Sequence, residues 1–277
     1  MGGALRVACV QVNAGTEIAE NLTAAGDLIR RARDAGASFI ATPENVGMIV
    51  QGRDKVLARV RPEAEHPGFP FFADLARETG AWLLAGSLGV LLEDGRVANR
   101  SVLFDGQGRV AARYDKIHMF DVDLKAGESY RESATFRPGE RAVVAATPWG
   151  GLGMTVCYDV RFAYLYRALA QAGASILTVP SAFTVPTGSA HWHVLLRARA
   201  IETGCFVLAP AQTGTHDAGR RTYGHSLIVS PWGEVLADAG EEVGIVVADL
   251  DLDRVAEARR MIPALTHDRS FQLDRPA

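Results

Sequence analysis

The chain has 277 residues, 48% apolar and 22% charged, a balance that suits a soluble globular protein and supports a substantial core in one large or two small domains. A net charge of −3 and a pI near 6.2, with no basic stripe, argue against nucleic acid as the main partner. Cys9, Cys157 and Cys205 are too few and scattered for a disulfide framework, no apolar run reaches the ~20 residues of a membrane span, and residues 1–15 do not read as a signal peptide, so the expected location is the cytoplasm.

Residues 5–12 read as a central strand, with Cys9 in a packing role. A helix is expected over 17–35, where Ile18, Leu22, Ala25, Leu28 and Ala32 share a face and Gly36 ends it. Residues 37–42 form a short apolar strand, broken by Pro43 and followed by Glu44 and Asn45. A helical stretch near 70–79 stops at Gly80, and 81–90 is the next strand. Strands near 97–105 and 109–115 are joined by Asp105-Gly106-Gln107-Gly108, a hairpin-type turn. Residues 116–140 have no clear period, and a loop that long in a compact domain is usually functional.

Strands near 142–147 and 152–157 follow, then an amphipathic helix carrying Phe162, Leu165, Leu169 and Ala172 at spacings of three and four. An apolar strand at 175–179, a helix over 188–203 ending at Gly204, and a strand at 206–210 come next. Strands near 223–230, 234–238 and 243–249 and a helix around 252–261 close the core. The polar tail after Pro263 is expected to wrap a surface or a partner subunit. Strands alternating with helices predict an α/β protein whose sheet faces are covered by helices. With no low-complexity linker and no repeat of fixed period, one domain is expected.

The stretch from Gly150 to Phe162 organises the chemistry. It is glycine-rich, then β-favouring, and stops at Cys157, after which the helix pattern opens. A sulfur near a helix N-terminus is expected to favour thiolate over thiol, and the N–H groups there can receive an oxyanion. Three other ionisable residues lie beside strand ends or in the long loop. Alone, Glu44 reads as a capping or solvated glutamate, Lys116 as a surface lysine, and Glu132 signals nothing. Together, a glutamate, a lysine and a cysteine suffice for amide hydrolysis without histidine. The carboxylate takes the thiol proton, sulfur attacks the amide carbon, and the ammonium stabilises the tetrahedral oxyanion.

Thr42-Pro43-Glu44, Tyr114-Asp115-Lys116-Ile117-His118 and Cys157-Tyr158-Asp159-Val160-Arg161-Phe162 resemble, in order, the three signature segments of the nitrilase (carbon–nitrogen hydrolase) superfamily. The resemblance spans roughly residues 5–265 of a single domain over 1–277, with 264–277 as a tail. It implies an α-β-β-α sandwich, paired into a homodimer or larger homo-oligomer. It makes Glu44 the general base, Lys116 the oxyanion-stabilising lysine, Cys157 the nucleophile and Glu132 a second glutamate that positions substrate and lysine. The backbone N–H of Tyr158 becomes the other oxyanion donor. The phrases Ala190-His191-Trp192, the run from Leu196 to Glu202, Tyr223-Gly224-His225-Ser226 and His118-Met119-Phe120-Asp121 are similar to the Nit subgroup of ω-amidase-like enzymes. His193 and Ala163 depart from it, standing where these relatives commonly have glutamate and proline.

The expected activity is therefore an amidase for a small carboxylated amide, deaminated glutathione first, acting through a thioester in metabolite repair. The alternatives are an ω-amidase for 2-oxoglutaramate or 2-oxosuccinamate, a nitrilase, or a catalytically silent binding protein on the same fold. No cofactor, nucleic acid or membrane is expected as a partner, and no metal. His191 and His193 lie two apart on a helix and point about 200° apart, so with His225 and Cys205 they do not read as ligands of one ion. Gly150-Gly151-Leu152-Gly153 lacks the lysine of a phosphate loop, and no G-x-S-x-G elbow is present. Arg161 and Asp159 are expected to hold the elbow structurally. Arg220 and Arg221 read as solvated, with an anionic substrate as their other use.

Overall fold

The computed structural model describes residues 4–124 and 129–276. Its first half is built from β1 (Leu5–Gln11), α1 (Ile18–Asp34), β2 (Phe39–Ala41), α2 (Arg53–Arg59), α3 (Gly68–Thr79), β3 (Trp82–Leu91), β4 (Val97–Phe104) and β5 (Val110–Asp115). The alternation expected of strands is visible in β1. Val7 and Cys9 face one core, while Ala8 and Val10 face another that contains Leu22, Ala25 and Ile29 of α1. β1, β2 and β3 pair in parallel, and β4 and β5 continue the sheet as an antiparallel meander. α2 left no readable trace in the sequence because its seven residues bury only Val56.

The segment expected to be a structureless loop over 116–140 contains short paired strands, β6 (Asp121–Asp123) and β7 (Ser129–Arg131), followed by a 3₁₀ turn at Glu132–Ala134. The second half runs β8 (Val143–Thr147), β9 (Gly150–Met154), α4 (Ala163–Gln171), β10 (Ala174–Thr178), α5 (Val185–Thr203), β11 (Phe206–Ala209), β12 (Thr213–Thr215), β13 (Arg221–Tyr223), β14 (Leu227–Val229), β15 (Val235–Asp238), β16 (Gly244–Leu250) and α6 (Asp253–Met261). The single strand expected at 223–230 is two strands in different sheets. Gly224 and His225 both adopt positive φ, 73° and 56°, which turns the chain between them. α5 starts three residues earlier than the periodicity predicts, with Pro186 in its first turn, where a missing N–H does no harm.

Two six-stranded mixed sheets result, ordered β16-β1-β2-β3-β4-β5 and β15-β14-β11-β10-β9-β8. Phe39, Ala41 and Leu84 of the first share a core with Leu152, Met154 and Ile176 of the second, so the sheets stack face to face. α1 and α3 cover the outside of the first sheet, and α4 and α5 cover the second. This is the expected α-β-β-α sandwich. The tail after Pro263 lies along α4 of its own chain, where Arg167 donates to Ala264 O and Asp268, and Gln171 to Leu265 O. Among the described residues, no helix is long and apolar enough to cross a membrane.

One close approach fixes where the second strand delivers its carboxylate. A β-carbon on Gly86 of β3 would sit 1.9 Å from Thr42 O and 2.5 Å from Pro43 O, so the chain leading to Glu44 rests directly on the glycine backbone. Gly86→Ala is expected to lower stability by about 1–3 kcal/mol through forced separation of the two strands, and to lower turnover with it. Urea unfolding alongside an activity assay checks this. An unchanged midpoint with full activity would show that the contact does not set the position of Glu44.

Candidate active site

Strand periodicity places the first functional side chain. In Tyr114-Asp115-Lys116-Ile117-His118, the odd-numbered Asp115 faces outward, where Arg100 binds it at 2.7 Å. Tyr114 and Lys116 are buried on the opposite side. Lys116 N donates to Asn99 O, and Gly139 N donates to Lys116 O, so the segment is pinned on both sides. Tyr114 OH donates to Asp159 Oδ2 at 2.6 Å, and Val156 N to the same oxygen at 2.9 Å. His118 meets Asp159 Oδ1 through its backbone N at 3.0 Å and its ring Nδ1 at 2.6 Å. The fully buried Asp159 thereby ties the turn carrying Cys157 to the segment carrying Lys116. The structural role expected of Asp159 holds. Arg161 acts differently, lying over the Tyr158 and Phe183 rings and beside His191 Nδ1.

The four residues singled out in the sequence converge. Lys116 Nζ donates to Glu44 Oε1 at 3.0 Å and to Glu132 Oε1 and Oε2 at 2.9 and 2.8 Å. An ammonium has three N–H bonds, and here each faces a carboxylate oxygen. Glu44 Oε2 accepts from Ala182 N at 2.9 Å, and Glu132 Oε2 from Phe120 N at 2.6 Å. Asn99 Nδ2 bridges the two glutamates, at 2.9 Å from Glu44 and 3.3 Å from Glu132. The orientation of this amide is fixed, because only its NH₂ end can satisfy two carboxylates. Its Oδ1 is buried without a partner among the described residues.

Burial and charge set the protonation states. Burial works hardest on the Glu44 carboxyl, pushing it up, yet the Lys116 charge, hydrogen bonding from Cys157 and Lys116, and the Arg220 charge together hold it below the usual range. Burial opposes the Lys116 ammonium, but the charges of Glu132, Glu44 and Cys157 raise it well above an ordinary lysine. The Cys157 thiol is pushed up, first by burial and next by the Glu44 charge, with Lys116 only partly offsetting them. The thiolate expected from a helix N-terminus is therefore corrected to a thiol. A 3₁₀ turn, Cys157–Arg161, separates the cysteine from α4, and Cys157 N is already donated to Pro180 O. Cys157 itself sits at φ 51° on this turn. Outside its own turn, the Tyr158 N–H donates to no acceptor among the described residues.

A cavity of about 350 Å³ opens above these groups, lined by all four together with Phe120, Tyr130, Phe183 and Arg220. Arg220 is half-buried on its wall, donating to Ala182 O at 3.0 Å and lying over the Tyr130 ring, while its Nε is buried without a partner among the described residues. Arg221 is exposed on β13. Sequence reasoning missed Asn99, whose one signal is a polar residue amid the apolar face of a strand, and the N–H groups of Phe120 and Ala182, which leave no signal at all. His191 lies beside the Arg161 guanidinium, and Cys205 is fully buried beside Ala174 O. His193 and His225 do meet, through Asp238.

An α-β-β-α sandwich thus holds a buried glutamate, lysine and cysteine together at the floor of a pocket, a set of groups that suffices for amide hydrolysis. Residues 6–260 match the family Carbon-nitrogen hydrolase, and this chain belongs to it. It is 42% identical over 270 residues to a Yersinia enterocolitica protein named deaminated glutathione amidase, covering 95% of this chain and 92% of the relative. Its fold superposes on Nit3 of Saccharomyces cerevisiae, a member of branch 10 of the nitrilase superfamily, with a TM-score of 0.87 at 29% identity, covering 98% of each chain. It also superposes on the C. elegans NitFhit protein, with a TM-score of 0.89 at 35% identity, covering 96% of this chain and 65% of that longer one. The chain is a hydrolase of amide C–N bonds.

The thiol state has a pH signature. With Cys157 pushed up, the rate of its alkylation by iodoacetamide is expected to keep rising through pH 7–10 without the half-maximum near pH 8.5 that an ordinary thiol shows. Mass-resolved alkylation kinetics on the native protein check this. A plateau at or below pH 8.5 would return the resting thiolate.

Proposed function

We propose that this chain hydrolyses a small carboxylated amide through a thioester on Cys157, with deaminated glutathione as the first substrate. The observation that carries the reading is the Lys116 ammonium held between Glu44 and Glu132 beside a buried thiol on a pocket floor. Glu44, ionised at neutral pH, takes the Cys157 proton as sulfur attacks the amide carbon. The oxyanion forms between Lys116 Nζ and Tyr158 N–H. Because all three lysine N–H bonds already face carboxylate oxygens, one of them must turn from Glu132 to the oxyanion as it develops. Collapse passes the proton from Glu44 to the departing nitrogen, leaving the thioester and releasing the amine half, the cysteinyl peptide from deaminated glutathione or ammonia from a primary amide such as 2-oxoglutaramate. Glu44 then takes a proton from water, which attacks the thioester through a second oxyanion, and returns it to the departing sulfur. The acid leaves and the thiol is restored, so one amide and one water give one acid and one amine, which is ammonia only when the amide is primary.

Arg220, whose Nε has no partner among the described residues on the pocket wall, supports an anionic substrate. The same wall disfavours an α-ammonium, since Lys116 and Arg220 already supply positive charge and a buried unpaired ammonium costs several kcal/mol. A keto group at that position carries no such cost, which separates deaminated glutathione and 2-oxoglutaramate from glutathione and glutamine. The relative named for deaminated glutathione favours the larger substrate, with the ω-amidase reading on 2-oxoglutaramate or 2-oxosuccinamate as the alternative. Exposed Tyr164, Val194 and Ile201 on α4 and α5 support pairing through the outer helices into a homo-oligomer. The sparse, unpaired cysteines support a cytoplasmic location.

Lys116→Met is expected to reduce turnover by ~10²–10³-fold, as the loss of one oxyanion donor does, and Cys157→Ala to release no acid product while still binding substrate. Retention of more than a tenth of wild-type turnover by Lys116→Met, or measurable substrate hydrolysis by Cys157→Ala, would dismantle the mechanism. The substrate is decided by kcat/KM for deaminated glutathione, 2-oxoglutaramate, glutathione and glutamine under one set of conditions. The first is expected to lead. A lead for 2-oxoglutaramate moves the chain to the ω-amidase reading, and equal activity on glutamine or glutathione removes the proposed discrimination.

A further inference from the structure

A second constellation lies outside the catalytic cavity and plays no part in the reaction. His193 projects from α5, His225 from the turn between β13 and β14, and Asp238 from the end of β15. His193 Nε2 stands 3.0 Å from Asp238 Oδ2, and His225 Nδ1 stands 2.9 Å from Oδ1 and 3.2 Å from Oδ2. One donor atom from each residue lies within 4.8 Å of both others. We propose that His193, His225 and Asp238 form a zinc site that clips α5 to the β14–β15 pair.

The donor set is two imidazole nitrogens and one carboxylate oxygen, the mixture that suits a borderline divalent ion and suits calcium or magnesium poorly. In tetrahedral zinc sites with ligand distances of ~2.0–2.2 Å, neighbouring donors sit roughly 3.3 Å apart. Both imidazole–carboxylate separations are already close to that value. Only the two ring nitrogens have to approach each other, a small rotation of the partly exposed His193 on its helix.

The frame holding the donors is built. Trp192 Nε1, next to His193, donates to His225 O at 2.8 Å, which fixes α5 to the turn. His225 N donates to Gly240 O, and Gly240 N returns to Asp238 Oδ1 at 2.9 Å, so the turn and the strand end are locked together. His225 adopts φ 56°, a conformation that residues with a β-carbon rarely take, and its ring stacks on Tyr223 at 4.4 Å. Backbone and stacking together aim Nδ1 at Asp238 whatever else binds there. All three side chains are between a fifth and about a third exposed, which opens the fourth coordination position to water and gives the ion a way in. Because the group lies off the catalytic cavity, the ion's work is to stabilise α5, whose N-terminal turn follows directly on the pocket residues Phe183 and Thr184.

The test uses the full chain, free of any affinity tag, stripped with a chelator and carrying Cys157→Ala so that the pocket thiol does not compete. Titration calorimetry with zinc chloride is expected to show one ion per chain with a dissociation constant in the micromolar range or tighter, and the thermal midpoint is expected to rise on loading. His193→Ala, on an accessible helix face, and Asp238→Asn, which keeps the side-chain shape, should each weaken binding at least tenfold while circular dichroism stays unchanged. Cobalt in place of zinc should give the visible absorption of a four-coordinate site, lost in both variants. Absence of saturable binding at one equivalent, or binding indifferent to both substitutions, overturns the proposal. Turnover of the wild-type chain is expected to survive chelation, and its loss with rescue by zinc would overturn the structural assignment of the ion.

Discussion

The structure depends on keeping one ammonium and two carboxylates out of water at the bottom of a pocket. An isolated ion taken from water into a protein interior carries a penalty of several kcal/mol, and mutual attraction offsets it only when the remaining donors and acceptors are also met. This explains the arrangement around Lys116. Ala182 N, Phe120 N and the Asn99 amide each meet a carboxylate oxygen that the lysine alone would leave undersatisfied. Those partners come from the ends of β10, the hairpin segment and the middle of β4, so the charge cluster can form only when both sheets and the hairpin are assembled. Folding and the readiness of the site are one event.

The two sheets share a layout. Each has three parallel strands joined by helices and extended on one side by an antiparallel pair. Glu44 leaves the middle strand of the first parallel trio, and Ala182, whose N–H it binds, leaves the middle strand of the second. The site therefore lies where equivalent strand ends of the two layers meet, and each layer contributes one half of the chemistry. No fixed-period repeat betrays this in the sequence. Equivalent backbones require only equivalent patterns of burial, and the two trios meet those patterns with different residues.

Much of this was legible beforehand. Glu44, Lys116 and Cys157 stand at apolar strand ends, where period-two patterning makes both the strand and its termination visible, whereas Glu132 signals nothing by itself and is picked out only by the family resemblance. The helices with a wide apolar stripe, α1 above all, were readable for the same reason. What escaped was whatever depends on distant chain. Asn99 looks like any strand residue until β2 and the hairpin segment place two carboxylates against it. The ionisation of Cys157 was misjudged because local geometry favoured a thiolate, whereas burial beneath the second sheet and the nearby Glu44 charge favour a thiol. Helical spacing separates His191 from His193, but it says nothing of His225 on a distant turn or of Asp238 on β15, which meet His193 in the fold.

The first sheet is closed by the last strand of the chain. β16 pairs with β1 in antiparallel register, Leu5 opposite Leu250 and Gln11 opposite Gly244, so the partner for the first strand is made almost last. During translation at about 5–20 residues per second, β1 waits roughly ten to fifty seconds for that partner. Through this interval one row of its backbone N–H and C=O groups stays open, and an open apolar edge recruits other strands. The protein is thus most vulnerable while it is being born. Its nascent form, more than its finished one, is where a cell must supply protection, and a chain shortened by even a few dozen residues at its far end would leave one edge of its very first strand permanently open.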